Sequence, residues 1–310
     1  PIDYHIKGFK ALGAQVLEDG DMVMVELASA ARKKVDRRVI FEYPSVGATE
    51  NLMLCAAALS GSTTIVNAAF EPEVLDLVEV LRKMGVKIEF ILPHAIKIYG
   101  CDQLKPIEHA ILPDRMEAGS LLCAIAATGG EGGISNAQPE NMELFLEKLR
   151  EMGHSIEVGP SGKGIWLTAC KKPQAVSFKT APYPGFPTDL QAPMMAVQLG
   201  IQGTAVVTET VYDGRFGHVE QFCKMGANIK ISGQRAIVEC GNPLSGVDII
   251  ALDIRAAYAL LIAGLTASGS TKLHGIHHLQ RGYDRFAEKL QILGGKIIVK
   301  DNSKKLMKAL

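Results

Sequence analysis

Three arginines, one aspartate and one helix start are the residues of this chain best suited to chemistry on anions. Arg215 in DGRF, Arg255 in DIRAA and Arg281 in RGYDR carry planar guanidinium groups. Such groups grip carboxylate or phosphate through paired hydrogen bonds. For any one arginine the plainer reading is a solvated surface charge. Asp189, in FPTDLQ, offers a carboxylate that could act as a base toward a hydroxyl. Its plainer reading is an N-cap, because Ser45, Asp114 and Asp253 sit at equivalent helix starts, where short oxygen-bearing side chains belong. Thr188 could supply that cap instead and leave Asp189 free. Ser45, Val46 and Gly47 open another helix. Its unbonded N–H groups and positive dipole end suit a diphosphate, with a simple cap as the alternative.

Other chemistry finds little support. His218, His277 and His278 have no third ligand at a metal-binding spacing and read as structural or surface residues. The six cysteines, Cys55, Cys101, Cys123, Cys170, Cys223 and Cys240, form no CxxC pair and no zinc pattern. Cys55 and Cys123 read as small core residues, and all six as reduced thiols. No P-loop, GxGxxG or nucleophile elbow occurs. Lys plus Arg is 33 and Asp plus Glu is 33, so the net charge is zero. A nucleic-acid surface usually needs a basic excess, so an anionic ligand must be held by a local cluster. The longest apolar stretch, Ala256 to Leu265, is too short to insert across a membrane. No signal peptide is visible at residue 1, and a chain that starts with Pro reads as a fragment or a processed product.

The elements that must position these residues follow a repeat. The 310 residues suit two domains. A Gly, a short strand-like run and an amphipathic helix ending in Gly recur from Gly61, Gly130, Gly203 and Gly269. The helix-ending glycines are Gly13, Gly85, Gly153, Gly226 and Gly294, at intervals of 72, 68, 73 and 68 residues. Glycine in that place takes the left-handed cap conformation without steric cost. Val74, Leu77, Val78, Leu81 and Met84 predict one apolar helix face, and Leu144, Leu146, Leu149 and Met152 another. Upstream of each copy lies a more apolar helix: SVGATENLMLCAAAL, DRMEAGSLLCAIAAT, TDLQAPMMAVQL and DIRAAYALLIAGLTA. Such helices predict a shared core. Two strand-like runs follow the amphipathic helices. The unit is helix, strand, helix, strand, strand, about 70 residues long, beyond the period of common solenoids. The basic tail DNSKKLMKAL reads as a solvated or loosely packed end.

Nine phrases carry a resemblance: PIDYH at Pro1, PSVGATEN at Pro44, NAAFEPE at Asn67, LPDRMEAG at Leu112, NAQPE at Asn136, TAPYPGFPTDLQA at Thr180, TETVYDGRF at Thr208, DIRAA at Asp253 and RGYDR at Arg281. In this order the chain, to about residue 300, resembles the UDP-N-acetylglucosamine 1-carboxyvinyltransferase family. The resemblance implies an α/β (α+β) fold, a two-domain inside-out α/β barrel of repeated βαβαββ units. It implies that residues 1–112 are the N-terminally truncated remainder of a nucleotide-sugar-side domain and 113–310 a second, three-repeat domain. It implies transfer of enolpyruvyl from phosphoenolpyruvate to the 3-hydroxyl of UDP-N-acetylglucosamine, the first committed step of peptidoglycan synthesis, in the cytoplasm and with no cofactor. The family's Lys-Asn pair and acid-bearing loop would precede Pro1, so the chain alone is expected to be inactive. None of the six cysteines takes the acid's role.

By the same resemblance, Asp189 is the base toward the sugar hydroxyl and Arg281 contacts phosphoenolpyruvate. Arg255 lies near Asp253 in the cleft and Arg215 in the neighbouring wall. Pro1, Ile2, Asp3 and Tyr4 cradle the uridine. The segment Tyr43 to Val46 binds the nucleotide, with Lys in many members where Tyr43 stands here. Val211 touches the nucleotide sugar through its backbone. The alternatives are a shikimate 3-phosphate transferase of the same fold and a non-catalytic nucleotide-sugar-binding paralogue.

Overall fold

The computed structural model describes residues 2–27 and 34–300, the side chain of Cys240 excepted. Pro1 and the basic tail lie outside the described residues. The chain divides into two compact units, Pro1–Leu112 and Pro113–Leu310.

In the first unit, helix α1 (Asp3–Ala11) leads into an antiparallel hairpin of β1 (Ala14–Asp19) and β2 (Met22–Leu27). One complete βαβαββ copy follows. It comprises β3 (Val35–Ile40), α2 (Val46–Ala57), β4 (Gly61–Val66), α3 (Pro72–Lys83), β5 (Lys87–Ile91) and β6 (Ala95–Tyr99). β3 and β4 run parallel, and β6 lies antiparallel between β4 and β5, giving the order β3-β4-β6-β5. The apolar α2 is a core helix, with Leu52 and Met53 fully buried. α1 packs on it at Gly8, where a Cβ would come within 2.5 Å of Leu52 Cδ1.

The second unit holds α4 (Arg115–Thr128), β7 (Glu131–Ile134), α5 (Glu143–Glu151), β8 (Ser155–Val158) and β9 (Ile165–Thr168). Next come β10 (Phe178–Lys179), α6 (Gln191–Gln198), β11 (Gly203–Thr208), α7 (Val219–Lys224), β12 (Asn228–Ser232) and β13 (Arg235–Cys240). Last are β14 (Asp248–Ile250), α8 (Ile254–Thr266), β15 (Lys272–His274) and α9 (Phe286–Ile292). The sheet order β10-β11-β13-β12 repeats that of β3-β4-β6-β5. The apolar helices α4, α6 and α8 pack against one another, and Leu122, Met194, Ala257 and Leu260 in them are fully buried. Packed together and covered by the strands of their own copies, these helices hide surfaces that are apolar on every side.

The helix-ending glycines do what their position requires. Gly13, Gly85, Gly153, Gly226 and Gly294 have φ of 94°, 103°, 99°, 106° and 95°. The next residue closes the cap, as in Val86 N–H to the Leu81 carbonyl at 3.0 Å.

Two sequence expectations change. In α5 the buried residue is Phe145, while Leu144 is 38% exposed, because the face running through Leu146, Leu149 and Met152 extends back through 145. In the last copy, Lys296–Lys300 forms no strand among the described residues. In the complete copies the strand after the amphipathic helix pairs only with the strand that follows it, β5 with β6 and β12 with β13. Among the described residues, 296–300 has no such following strand to pair with.

Leu122 is fully buried in α4. Leu122→Ala is therefore expected to cost about 2–5 kcal/mol, read as a lower urea midpoint at unchanged slope.

Candidate functional site

The site residues of the second unit gather where α6 and α8 begin. Asp253 caps α8, accepting from the N–H groups of Arg255 at 2.8 Å and Ala256 at 2.9 Å. Asp114 caps α4 in the same way, through Met116 and Glu117 N–H. The start of α6 departs from this pattern. A 3-10 turn, Thr188–Leu190, precedes it, and no side chain caps either element. The N-cap reading of Asp189 and the substitute cap from Thr188 are both overturned.

Asp189 instead joins an ion cluster. Its Oδ1 accepts from Arg255 Nε at 2.5 Å and from Arg215 Nη1 at 3.1 Å. Its Oδ2 has no partner among the described residues, and the side chain is 43% exposed. The carboxylate is thus held by one oxygen and open at the other. Arg215 sits over Tyr212, its Cζ 4.6 Å from the ring centroid. Burial first, then the neighbouring Arg255 charge, holds Arg215 below the ordinary arginine value. Asp189, Glu209 and Asp253 oppose that shift, and Arg215 stays a cation at neutral pH.

Glu209 completes the cluster, and sequence reasoning missed it. It follows β11 and is 1% exposed. Oε1 accepts from Thr180 Oγ1 at 2.7 Å, Val211 N at 2.8 Å and Tyr212 N at 3.1 Å. Oε2 accepts from Thr188 Oγ1 at 2.8 Å. Thr188 Oγ1 in turn accepts from Arg215 Nη1 at 2.8 Å. The available signal was a Glu between two threonines at a strand end, followed by a loop whose N–H groups need acceptors. Val211 spends its N–H on Glu209, which leaves its carbonyl for any backbone contact.

Arg281 ends a 3-10 segment, Ile276–Arg281, that packs against α8. Leu279 is fully buried beneath it, and a Cβ on Gly282 would come within 2.7 Å of Ile254 Cδ1 at the start of α8. Tyr283 stacks on Tyr258 of α8 at 4.5 Å between ring centroids, and its hydroxyl meets Ser120 Oγ of α4 at 2.8 Å. Arg281 itself is exposed, with no hydrogen bond or ion pair to the described residues. Its backbone is fixed while its charge is unspent.

In the first unit the nucleotide-side candidates also come together. Ser45 Oγ accepts from Ala48 N at 3.4 Å and so caps α2. Val46 and Gly47 form the first turn, where a Gly47 Cβ would lie 3.3 Å from the His5 ring. His5 Nδ1 sits 2.8 Å from Asn51 Nδ2, and Tyr4 packs edge-on against Phe41. Ile2, Asp3 and Tyr4, at the start of α1, are therefore neighbours of the α2 N-terminus. The Tyr43 carbonyl accepts from Ser45 N at 2.8 Å and fixes the approach to that turn. The call on Pro1 falls outside the described residues.

Among the described residues no cluster of His, Cys, Asp or Glu could hold a metal ion, and no helix is long and apolar enough to cross a membrane. Cys55, Cys101, Cys123, Cys170 and Cys223 are free thiols, and burial raises Cys55 and Cys123.

The class of protein follows from comparison with known folds. A family model described as EPSP synthase (3-phosphoshikimate 1-carboxyvinyltransferase) matches residues 1–290. The enolpyruvyl transferase NikO from Streptomyces tendae superposes with a TM-score of 0.86 at 25% identity, over 96% of this chain and 72% of that one. EPSP synthase from Acinetobacter baumannii shares the fold with a TM-score of 0.71 at 18% identity, over 97% of this chain and 72% of that one. The UDP-N-acetylglucosamine 1-carboxyvinyltransferase of Halothermothrix orenii is 45% identical over 297 residues, 96% of this chain and 70% of the relative. UDP-N-acetylglucosamine 1-carboxyvinyltransferase 1 of Caldanaerobacter subterraneus subsp. tengcongensis is 43% identical over the same shares. The chain belongs to the UDP-N-acetylglucosamine 1-carboxyvinyltransferase family.

His218 was assigned no role from sequence, and it packs between Phe216 and Phe222 with Nε2 unbonded among the described residues. Burial lowers it from 6.5 to about 4, with Asp253 pulling the other way. The folded state thus refuses a proton that the unfolded chain accepts. Stability should be full above pH 6.5 and fall as the pH drops toward about 4, by about 3 kcal/mol for this group. Urea midpoints at pH 7 and pH 5 should converge in His218→Gln relative to the parent.

Proposed function

We propose that this chain carries the acceptor-side chemistry of enolpyruvyl transfer from phosphoenolpyruvate to the 3-hydroxyl of UDP-N-acetylglucosamine, with release of phosphate. The observation behind this reading is Asp189. It stands at a helix start, where Asp114 and Asp253 cap, yet it caps nothing and keeps Oδ2 open beside two guanidinium groups. In the proposed reaction Oδ2 takes the proton of the sugar hydroxyl as its oxygen bonds to the substituted carbon of phosphoenolpyruvate. The vinyl carbon gains a proton, and no residue of this chain is proposed as its donor. The tetrahedral adduct then loses phosphate and a methyl proton, which restores the double bond. Arg281, exposed and unpaired, meets the phosphoenolpyruvate anion. Arg215 and Arg255 hold Asp189 and add positive potential to the site.

On the nucleotide side, the α2 start at Ser45, Val46 and Gly47 suits the diphosphate, with Tyr43 beside it. Ile2, Asp3 and Tyr4 are proposed for the uridine, and separately the Val211 carbonyl for a nucleotide-sugar contact. Such an enzyme would act in the cytoplasm at the first committed step of peptidoglycan synthesis, and so in cell-wall growth and division.

In the full product of the native reading frame, phosphate release is expected to require UDP-N-acetylglucosamine. Asp189→Ala should lower kcat by about 10²–10⁴-fold. Arg281→Ala should instead raise the KM for phosphoenolpyruvate by about tenfold or more. Turnover that survives Asp189→Ala would remove the base assignment.

The family model's description keeps shikimate 3-phosphate as the rival acceptor. Thermal unfolding separates the two. UDP-N-acetylglucosamine at 100 times its Kd should stabilise the protein by about 2.7 kcal/mol, and shikimate 3-phosphate should not.

A further inference from the structure

We propose that Glu209 is a positioning residue: it fixes the direction of the Thr188 hydroxyl, and through that hydroxyl holds Arg215 against Asp189. Four donors converge on Glu209, and two of them, the Val211 and Tyr212 N–H groups, can only donate. They commit Oε1 to accepting, and Oε2 faces Thr188 alone. On its other side Thr188 meets Arg215 Nη1, which also can only donate. A hydroxyl has one hydrogen. It goes to Glu209, so Thr188 turns a lone pair to Arg215. The relay runs Arg215 to Thr188 to Glu209, with every hydrogen pointing the same way.

The same Nη1 also reaches Asp189 Oδ1 at 3.1 Å. Arg215 is thus pinned between a neutral acceptor and the catalytic carboxylate. Without the Thr188 lone pair, the guanidinium is free to turn about its own axis or to close further on Asp189. Closing on Oδ2 would block the oxygen proposed as the base. Arg215 has lost much of its water, and the Tyr212 ring covers one face, so no solvent bond of equal strength replaces Thr188.

Glu209→Gln keeps the shape and breaks the polarity. The carboxamide oxygen must stay with the Val211 and Tyr212 N–H groups, so the NH₂ turns to Thr188. That hydroxyl then accepts from both sides through its two lone pairs, but its own hydrogen has no acceptor and no longer fixes its direction. Thr188→Val removes the relay with little change in volume. Thr180→Val removes a different bond to the same carboxylate, one that does not lie between Glu209 and Arg215.

The bearing of this relay on turnover rests on the reading of Asp189 as base, but the relay can be tested without substrate. The test is guanidinium ¹⁵N–¹H NMR of the 310-residue chain, with the Arg215 signals assigned through Arg215→Lys. In the parent protein, rotation of the Arg215 guanidinium should be slow enough to resolve its Nη groups. Thr188→Val should speed that rotation by about tenfold or more, the loss of one hydrogen bond from a charged group, and Glu209→Gln, which leaves that acceptor in place but undirected, should speed it by a smaller factor. Their double mutant should be no faster than Thr188→Val alone. Thr180→Val should lower the melting temperature yet leave Arg215 slow. Unchanged Arg215 signals in Glu209→Gln and Thr188→Val overturn the proposal, whatever the phosphate-release assay gives. Equal loosening by Thr180→Val and Thr188→Val also overturns it, by reducing Glu209 to a general structural support. Should Glu209→Gln fail to fold, Thr188→Val decides alone.

Discussion

A helix with no polar side must be covered all round, and the second unit is organised by that constraint. The bodies of α4, α6 and α8 offer almost nothing to water; all eight residues of α6 are buried. Charge and hydrogen-bonding groups are therefore displaced to the helix ends, where backbone N–H groups lack partners. The starts of α6 and α8 come close enough for Arg255, in the first turn of one, to reach Asp189, just before the other, at 2.5 Å. Positive dipole ends and guanidinium groups then share one place. A site for anions is what remains when three apolar helices are packed and their polar ends are left in company.

Within that place two carboxylates have different surroundings. Glu209 is enclosed and spends its acceptor capacity on four donors, as a buried charge must. Asp189 is nearly half exposed and spends one oxygen on two arginines. One group is suited to holding a loop still and the other to meeting a ligand. Their sequence contexts, TET and TDL, give little hint of the difference.

What could be read from the sequence was local. The repeat was legible because a left-handed glycine after a helix is a one-residue requirement, and because apolar periodicity marks a helix face within a few turns. The caps at Ser45, Asp114 and Asp253 were legible for the same reason. Asp189 resisted, because the groups that draw it from the cap position lie 26 and 66 residues away in Arg215 and Arg255. Only the resemblance to a family favoured its catalytic reading. Glu209 stayed hidden because its partners Thr180 and Thr188 are 29 and 21 residues upstream. The exchange of Leu144 for Phe145 was a matter of helix phase: at about 3.6 residues per turn Phe145 falls on the side of Leu149 and Met152, and Leu144 opposite Leu146.

The shared helical core also bears on how the protein is made. Each sheet closes within its own stretch of chain, but α4 cannot bury its apolar surface until α8 exists. Arg115 and Ile254 begin helices about 140 residues apart. At about 5–20 residues per second, a ribosome takes roughly ten to thirty seconds to cover that distance. For that time the first apolar helix of the unit lacks one of the two helices it packs against. The early part of this unit is therefore where chaperone binding during synthesis should concentrate, and where a pause in translation would be most costly.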